Sequence, residues 1–180
     1  MTFGFVLRQL SLAGPGMATA ELRFARGLNV IAGPSNTGKT FIAQCIDFAL
    51  GSSTAPKEIP EAAQYTSILL EVESQDRTRS YVLERNLRGG DIRLSTAGEA
   101  DRILSSRHQA DKEDTISSFL LKLSGLAGKR VRTNRQGKTR SLSFRDIAPL
   151  ILIDEESVIS ATSPILTGQY TSRIVETSVF

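Results

Sequence analysis

The sequence predicts an α/β domain in which a mixed sheet, including an antiparallel meander, is built around one glycine-led helix. Three observations carry this. The uncharged run Leu28-Asn29-Val30-Ile31-Ala32 passes through a loop bracketed by Gly33 and Gly38 into a segment of helical periodicity. Three strand-like stretches, at 66–72, 79–85 and 91–95, are separated by turn residues at the spacing of an antiparallel meander. The 180 residues, 40% apolar and 23% charged, suit one soluble domain with one core.

The elements follow in order. Residues 3–12 form a strand in which Phe3, Phe5 and Leu7 alternate with smaller or polar neighbours. Gly14-Pro15-Gly16 turns the chain. Residues 18–24 alternate again, with Ala20, Leu22 and Phe24 on one face and Thr19, Glu21 and Arg23 on the other, so the two make a hairpin. Val30-Ile31-Ala32, with no charge, reads as a strand covered on both faces, as a parallel sheet requires. A helix follows over 38–50. Ile42, Cys45, Ile46 and Ala49 face the core, Phe41 and Phe48 lie off that stripe, and Gly51 ends it. Cys45 is thus a small core residue rather than a nucleophile. Residues 52–63 are a loop punctuated by Pro56 and Pro60. After the meander, residues 97–110 read as an exposed polar connection, with His108 a solvated surface residue. A second helix spans 115–123, with Ile116, Phe119, Leu120 and Leu123 on one face, Asp114 as its cap and Gly125 at its end. Ser143-Phe144-Arg145-Asp146 has the form of a capping box.

The loop carries the chemistry. Gly33-Pro34-Ser35-Asn36-Thr37-Gly38-Lys39-Thr40 matches G-x-x-x-x-G-K-[ST], with the strand before it and the helix after it that this phosphate-binding pattern requires. Backbone N–H groups of the loop and first helical turn, through Phe41, point at phosphate oxygens, where the helix dipole also favours negative charge. Lys39 reaches the β- and γ-phosphates and the Thr40 hydroxyl ligates Mg²⁺. Gly33 and Gly38 supply backbone angles and close approach that a Cβ would block. The expected ligand is a nucleoside triphosphate with Mg²⁺.

Two other stretches are candidates. Lys129, Arg130, Arg132, Arg135, Lys138 and Arg140 cluster in a region, 115–145, that holds no acidic residue. This is either an electrostatic footprint for DNA or a solvated hairpin with Gly137 in its turn, and it lacks interleaved aromatics for stacking on bases. Further on, Ile151-Leu152-Ile153-Asp154-Glu155-Glu156 joins an apolar run to three acids. Read as a Walker B strand, it offers Asp154 to the Mg²⁺ shell and Glu155 to polarise attacking water. Solvated acids at a helix end are the bland alternative.

Composition excludes several classes. The net charge of +3 does not by itself announce a polyanion partner. One cysteine rules out an intramolecular disulfide and a cysteine-rich zinc site. The first twenty residues lack a basic leader, carry Arg8 mid-run and break at Gly14-Pro15-Gly16, so they do not form a signal peptide. The longest apolar run, 147–153, is far too short to span a bilayer. A cytoplasmic protein with no membrane partner is expected.

The hairpin, Gly27-Leu28-Asn29-Val30-Ile31-Ala32-Gly33-Pro34, the loop, and Ile46-Asp47-Phe48-Ala49-Leu50-Gly51 together resemble the N-terminal half of an SMC/RecF/RecN-type ATPase head. Ser35-Asn36-Thr37 stands where that family usually has Asn-Gly-Ser, and Thr40 replaces the commoner serine. The resemblance implies an ABC-type ATPase of DNA repair, chromosome maintenance or anti-phage defence. Such heads are completed by a C-terminal lobe with an LSGG motif, Walker B and a switch histidine, returned by a coiled coil. None is recognisable here, so residues 1–180 are expected to be one ATP-binding lobe, the N-terminal part of a longer protein. The resemblance also implies a Q-loop near 154–156, with a carboxylate in place of glutamine. Lys39, Asp154 and Glu155 are then the catalytic candidates, and Thr40 and Asp154 the metal ligands. Hydrolysis would need a second head, most simply in a homodimer. Two alternatives stand beside this: a self-contained P-loop NTPase with Asp154-Glu155 as Walker B, and a nucleotide-gated dimerisation or DNA-clamping module without turnover.

Overall fold

The computed structural model describes residues 3–109 and 111–154. Its main sheet has six antiparallel strands in the order β2-β1-β3-β4-β5-β6: β1 Phe5–Ala13, β2 Ala20–Arg23, β3 Ser67–Ser74, β4 Ser80–Asn86, β5 Ile92–Thr96 and β6 Arg102–Leu104. Period-two alternation sets the register, because a slip of one residue would turn every apolar side chain to the other face. Leu22, Leu10, Leu70, Leu83 and Leu94 are successive cross-strand partners, a leucine row running across five strands. Four of them are buried. Each such side chain contributes about 1.5–3 kcal/mol of transfer free energy on full burial.

Helix α1, Lys39–Ala49, lies against β3 and β4. It buries Phe41, Cys45, Ile46, Phe48 and Ala49, so it is covered on more than one side, as the two phenylalanines off its apolar stripe imply. Gly51 leaves the helix at φ +100°, where a Cβ would also stand 2.8 Å from Ile116 Cγ2. This glycine therefore turns the chain and lets the segment leaving α1 approach Ile116, the first residue of α2, Ile116–Leu123. Thr115, not Asp114, caps α2, its Oγ1 accepting from the Ser118 N–H at 3.0 Å.

Residues 97–110 are not wholly an exposed connection. They contain β6, whose Leu104 is fully buried opposite Ile92. Only one residue of this short strand needs to be apolar, which is too little for a periodic signal. The basic cluster does form a hairpin, β7 Arg130–Arg132 with β8 Thr139–Ser141, pinned by the buried Val131. The capping box forms as well. It opens a 3-10 turn, Phe144–Asp146, whose Phe144 N–H donates to Ser117 Oγ at 2.9 Å.

One expected strand is absent. Leu28-Asn29-Val30-Ile31-Ala32 pairs with nothing among the described residues; Leu28 is 90% and Val30 77% exposed. The predicted parallel, doubly covered strand is therefore corrected to an exposed apolar segment. A strand needs a partner edge for its N–H and C=O groups. Every described strand of the main sheet is instead paired antiparallel within the β1–β6 set. No helix of the described residues is long and apolar enough to cross a membrane.

Candidate phosphate-binding site

The loop leaves the apolar segment at Gly33 and enters α1 at Gly38. Gly38 is the helix N-cap, at φ 81°, a left-handed conformation that glycine adopts without strain. Asn36 shares that region at φ 60°, one of the few other residue types that tolerates it. At Gly33 the constraint is space, because an added Cβ would stand 3.2 Å from Thr37 Oγ1. Thr37 Oγ1 donates to Pro34 O at 2.8 Å, closing the loop on itself. The Lys39 ammonium donates to Gly33 O at 2.8 Å and Pro34 O at 2.6 Å, which ties the lysine across the loop.

The helix end is built for an anion. Gly38 offers no capping side chain, and the first turn, Lys39-Thr40-Phe41, holds no acid. The first N–H groups of a helix have no intrahelical partner, and here no side chain of the cap satisfies them. With the dipole's positive end at the same place, a phosphate is the complement. Residues 31–37 and Thr40 are exposed, so the loop is accessible. Phe41, by contrast, is buried and anchors the first turn in the core; only its backbone can face a ligand.

Several positioning contacts were not legible in the sequence. Asn29 Nδ2 donates to Ala25 O and Gly27 O and its Oδ1 accepts from the Ala25 N–H, folding the approach to the loop into a turn. Arg26 ties that turn to the β3–β4 connection through Gln75 and faces Glu73 at 3.6 Å. On α1, Asp47 receives a two-pronged contact from Arg145, at 2.6 and 3.2 Å, across a sequence separation of 98. Arg85 reaches the other end of the helix from β4, and its place on the same strand face as Tyr81 and Leu83 was a signal available beforehand.

Cys45 is fully buried, and burial pushes its thiol up to about 12, which leaves it inert as a nucleophile. His108 is not a solvated residue as expected. It is half-buried, 3.0 Å from Ser141 Oγ through Nε2, and burial lowers its pKa against the opposing pull of Asp146. Thus it latches the β6–α2 connection to the basic hairpin.

Of the hairpin cations, Arg140 is held by both oxygens of Asp146, at 2.6 and 2.8 Å, and this pairing raises its pKa. Arg130 donates across the hairpin to Thr139. Arg130, Arg132, Arg135 and Lys138 are exposed. Asp154 is exposed, and no strand forms over Ile151-Leu152-Ile153-Asp154, with Ile151 and Ile153 facing solvent. The buried strand that a Walker B assignment requires is not formed there. Glu155 lies outside the described residues.

A family model described as an AAA domain matches residues 17–166, which includes the hairpin strand, the loop, the meander and the basic hairpin. No curated protein matches the chain.

Proposed function

Since the chain belongs to the AAA-domain family, whose P-loop ATPases include SMC-like proteins, we propose that it is the ATP-binding lobe of an SMC/RecF-like ATPase. Nucleotide binding is the property of the family. The observation that carries the nucleotide-binding part of this reading is the bare, uncapped N-terminus of α1 behind a loop of the right sequence. Gly33 to Phe41 would hold the triphosphate, Lys39 its β- and γ-oxygens, and Thr40 the Mg²⁺. Among the described residues no three metal-ligating side chains cluster, so the ion would be held largely through the phosphates. Bound there, Mg²⁺ would neutralise negative charge on the phosphates.

The exposed Leu28, Val30 and Ile31 support a lobe that is completed by another. Strands added beside residues 28–32 would cover them and pair their backbone. Hydrolysis would then await a C-terminal lobe and a second head, with Asp154 acting as a Q-loop equivalent near the metal. A role in DNA repair, chromosome maintenance or defence in the cytoplasm belongs to the same proposal. Within it, Arg130, Arg132, Arg135 and Lys138 would face the DNA backbone, while Arg140 serves the fold through Asp146.

Titration calorimetry with ATP and Mg²⁺ tests this. Weak binding is expected, lost in Lys39→Ala, with little or no turnover by the isolated chain. Turnover by the monomer that disappears in Asp154→Asn or Glu155→Gln would replace this assignment with a self-contained NTPase. ATP-dependent dimers without turnover would indicate a nucleotide-gated clamp. For DNA, the salt dependence of affinity decides. Arg135→Ala with Lys138→Ala lowers the slope by about 1.8 if both contact phosphates, and leaves it unchanged if neither does.

A further inference from the structure

Arg85 is a cation in the core. It sits on β4 in the alternation Tyr81, Leu83, Arg85, all on the buried face, and is only 4% exposed. A charge in that position is costly unless every donor is used. The acceptors it uses are all backbone carbonyls. Nη1 donates to Phe48 O at 2.6 Å and to Ser52 O at 2.8 Å, and Nε donates to Gly90 O at 3.1 Å. Its guanidinium also lies 3.6 Å from the centroid of the Phe48 ring.

Two of those acceptors end α1 and the turn that follows it. The last carbonyls of a helix lack intrahelical donors, and they carry the negative end of its dipole. Here a buried cation donates to one of them, Phe48 O, which the Gly51 N–H also reaches at 3.1 Å, and to Ser52 O just beyond the helix, while the opposite end, at Gly38, is left without a cap. The two ends of α1 are thus treated in opposite ways: one is clamped to the sheet, the other left open to an anion.

We propose that Arg85 is a positioning residue for nucleotide binding, fixing the C-terminal end of α1 to β4 so that the amides at its N-terminus are aimed at the phosphates. This rests on the assignment of the loop to a nucleotide. The geometry makes the coupling strong. The 11 residues of α1 span about 16 Å, so a tilt of about 5° about the C-terminal end moves the N-terminus by more than about 1 Å. Hydrogen-bond lengths to phosphate tolerate about half that. Lysine cannot replace the fork, because one ammonium cannot stack on Phe48 and also span carbonyls from the helix end and from Gly90.

The experiment compares the 180-residue chain with Arg85→Lys, Phe48→Leu and Lys39→Ala, using ATP·Mg²⁺ and, separately, inorganic tripolyphosphate as calorimetric probes. Circular dichroism fixes a temperature at which each variant is folded. Arg85→Lys should weaken ATP by about tenfold, and tripolyphosphate by the same factor because the defect lies in the cradle and not at the base. Phe48→Leu removes the stacking surface and keeps the test open should Arg85→Lys not fold; its expected loss is about threefold. A purely structural role would lower the melting temperature and leave the Kd of the folded variants at the wild-type value, which overturns the proposal. If wild type and Lys39→Ala bind ATP equally, the nucleotide assignment itself fails, and the positioning role falls with it.

Discussion

The Asp47–Arg145 pair is the contact that joins α1 to the segment leading to Asp154, and its removal can be worked out in advance. Arg145 meets both carboxylate oxygens of Asp47, at 2.6 and 3.2 Å, and each side chain is 30% exposed. Charges about 4 Å apart attract by about 4 kcal/mol at an effective dielectric of about 20. Desolvation and the ordering of two side chains oppose most of that. Exposed pairs are worth about 0.2–1 kcal/mol, whereas breaking a buried one costs about 3–5 kcal/mol. A two-pronged, half-buried pair falls between, at about 1–2 kcal/mol. The assay is a double-mutant cycle of Asp47→Ala and Arg145→Ala, read by urea unfolding. Each single variant should lose about 1–2 kcal/mol, and the double variant little more than either alone, a coupling of at least about 1 kcal/mol. Raising salt to 1 M should reduce the coupling only in part, because the pair is partly shielded from solvent. Additive single effects, with a coupling below about 0.3 kcal/mol, would refute the view that this contact anchors the segment.

Other outcomes are accessible with similar means. Gly38→Ala forces a Cβ into the left-handed region at φ 81°, so it should cost about 1–2 kcal/mol of stability and weaken ATP binding further, read by urea titration and calorimetry. Thr115→Ala removes the cap of α2 and should cost about 1 kcal/mol, while Asp114→Ala leaves that cap intact. Because burial lowers the His108 pKa, the unfolded chain takes up this proton first, and the histidine's contribution to stability is lost as pH falls below about 6.5. Urea midpoints at pH 7.5 and 5.5 should therefore differ more in wild type than in His108→Gln. A thiol pushed up to about 12 predicts that Cys45 resists alkylation in the folded protein at pH 8 and reacts only on unfolding.

Local elements were legible because their information is local. The helix over α1, the amphipathic α2, the three meander strands and the capping box at Ser143 each carry their period or cap within a dozen residues. The loop was legible for the same reason: Gly38 supplies a backbone angle and Lys39 a charge at a fixed spacing. Cys45 and Ile46 were placed in the core by their helical stripe alone. β6 escaped, since one buried leucine makes no pattern, and so did the half-burial of His108, which depends on the distant Ser141.

The amino-acid sequence by itself determined the phosphate loop, the helix behind it and the antiparallel meander, because each is written in contiguous residue types. What the tertiary structure alone decided is which edges are paired and which charges are used. Residues 28–32 have every local mark of a buried strand, yet without a partner edge they remain exposed. Arg145 and Arg140 look alike in a basic stretch, but folding gives one to Asp47 on the phosphate-loop helix and the other to Asp146, leaving Arg135 and Lys138 at the surface. Arg85 became the clamp on the helix end in the same way. Pairing is a property of residues brought together from far apart in the chain, and no local pattern records the partner.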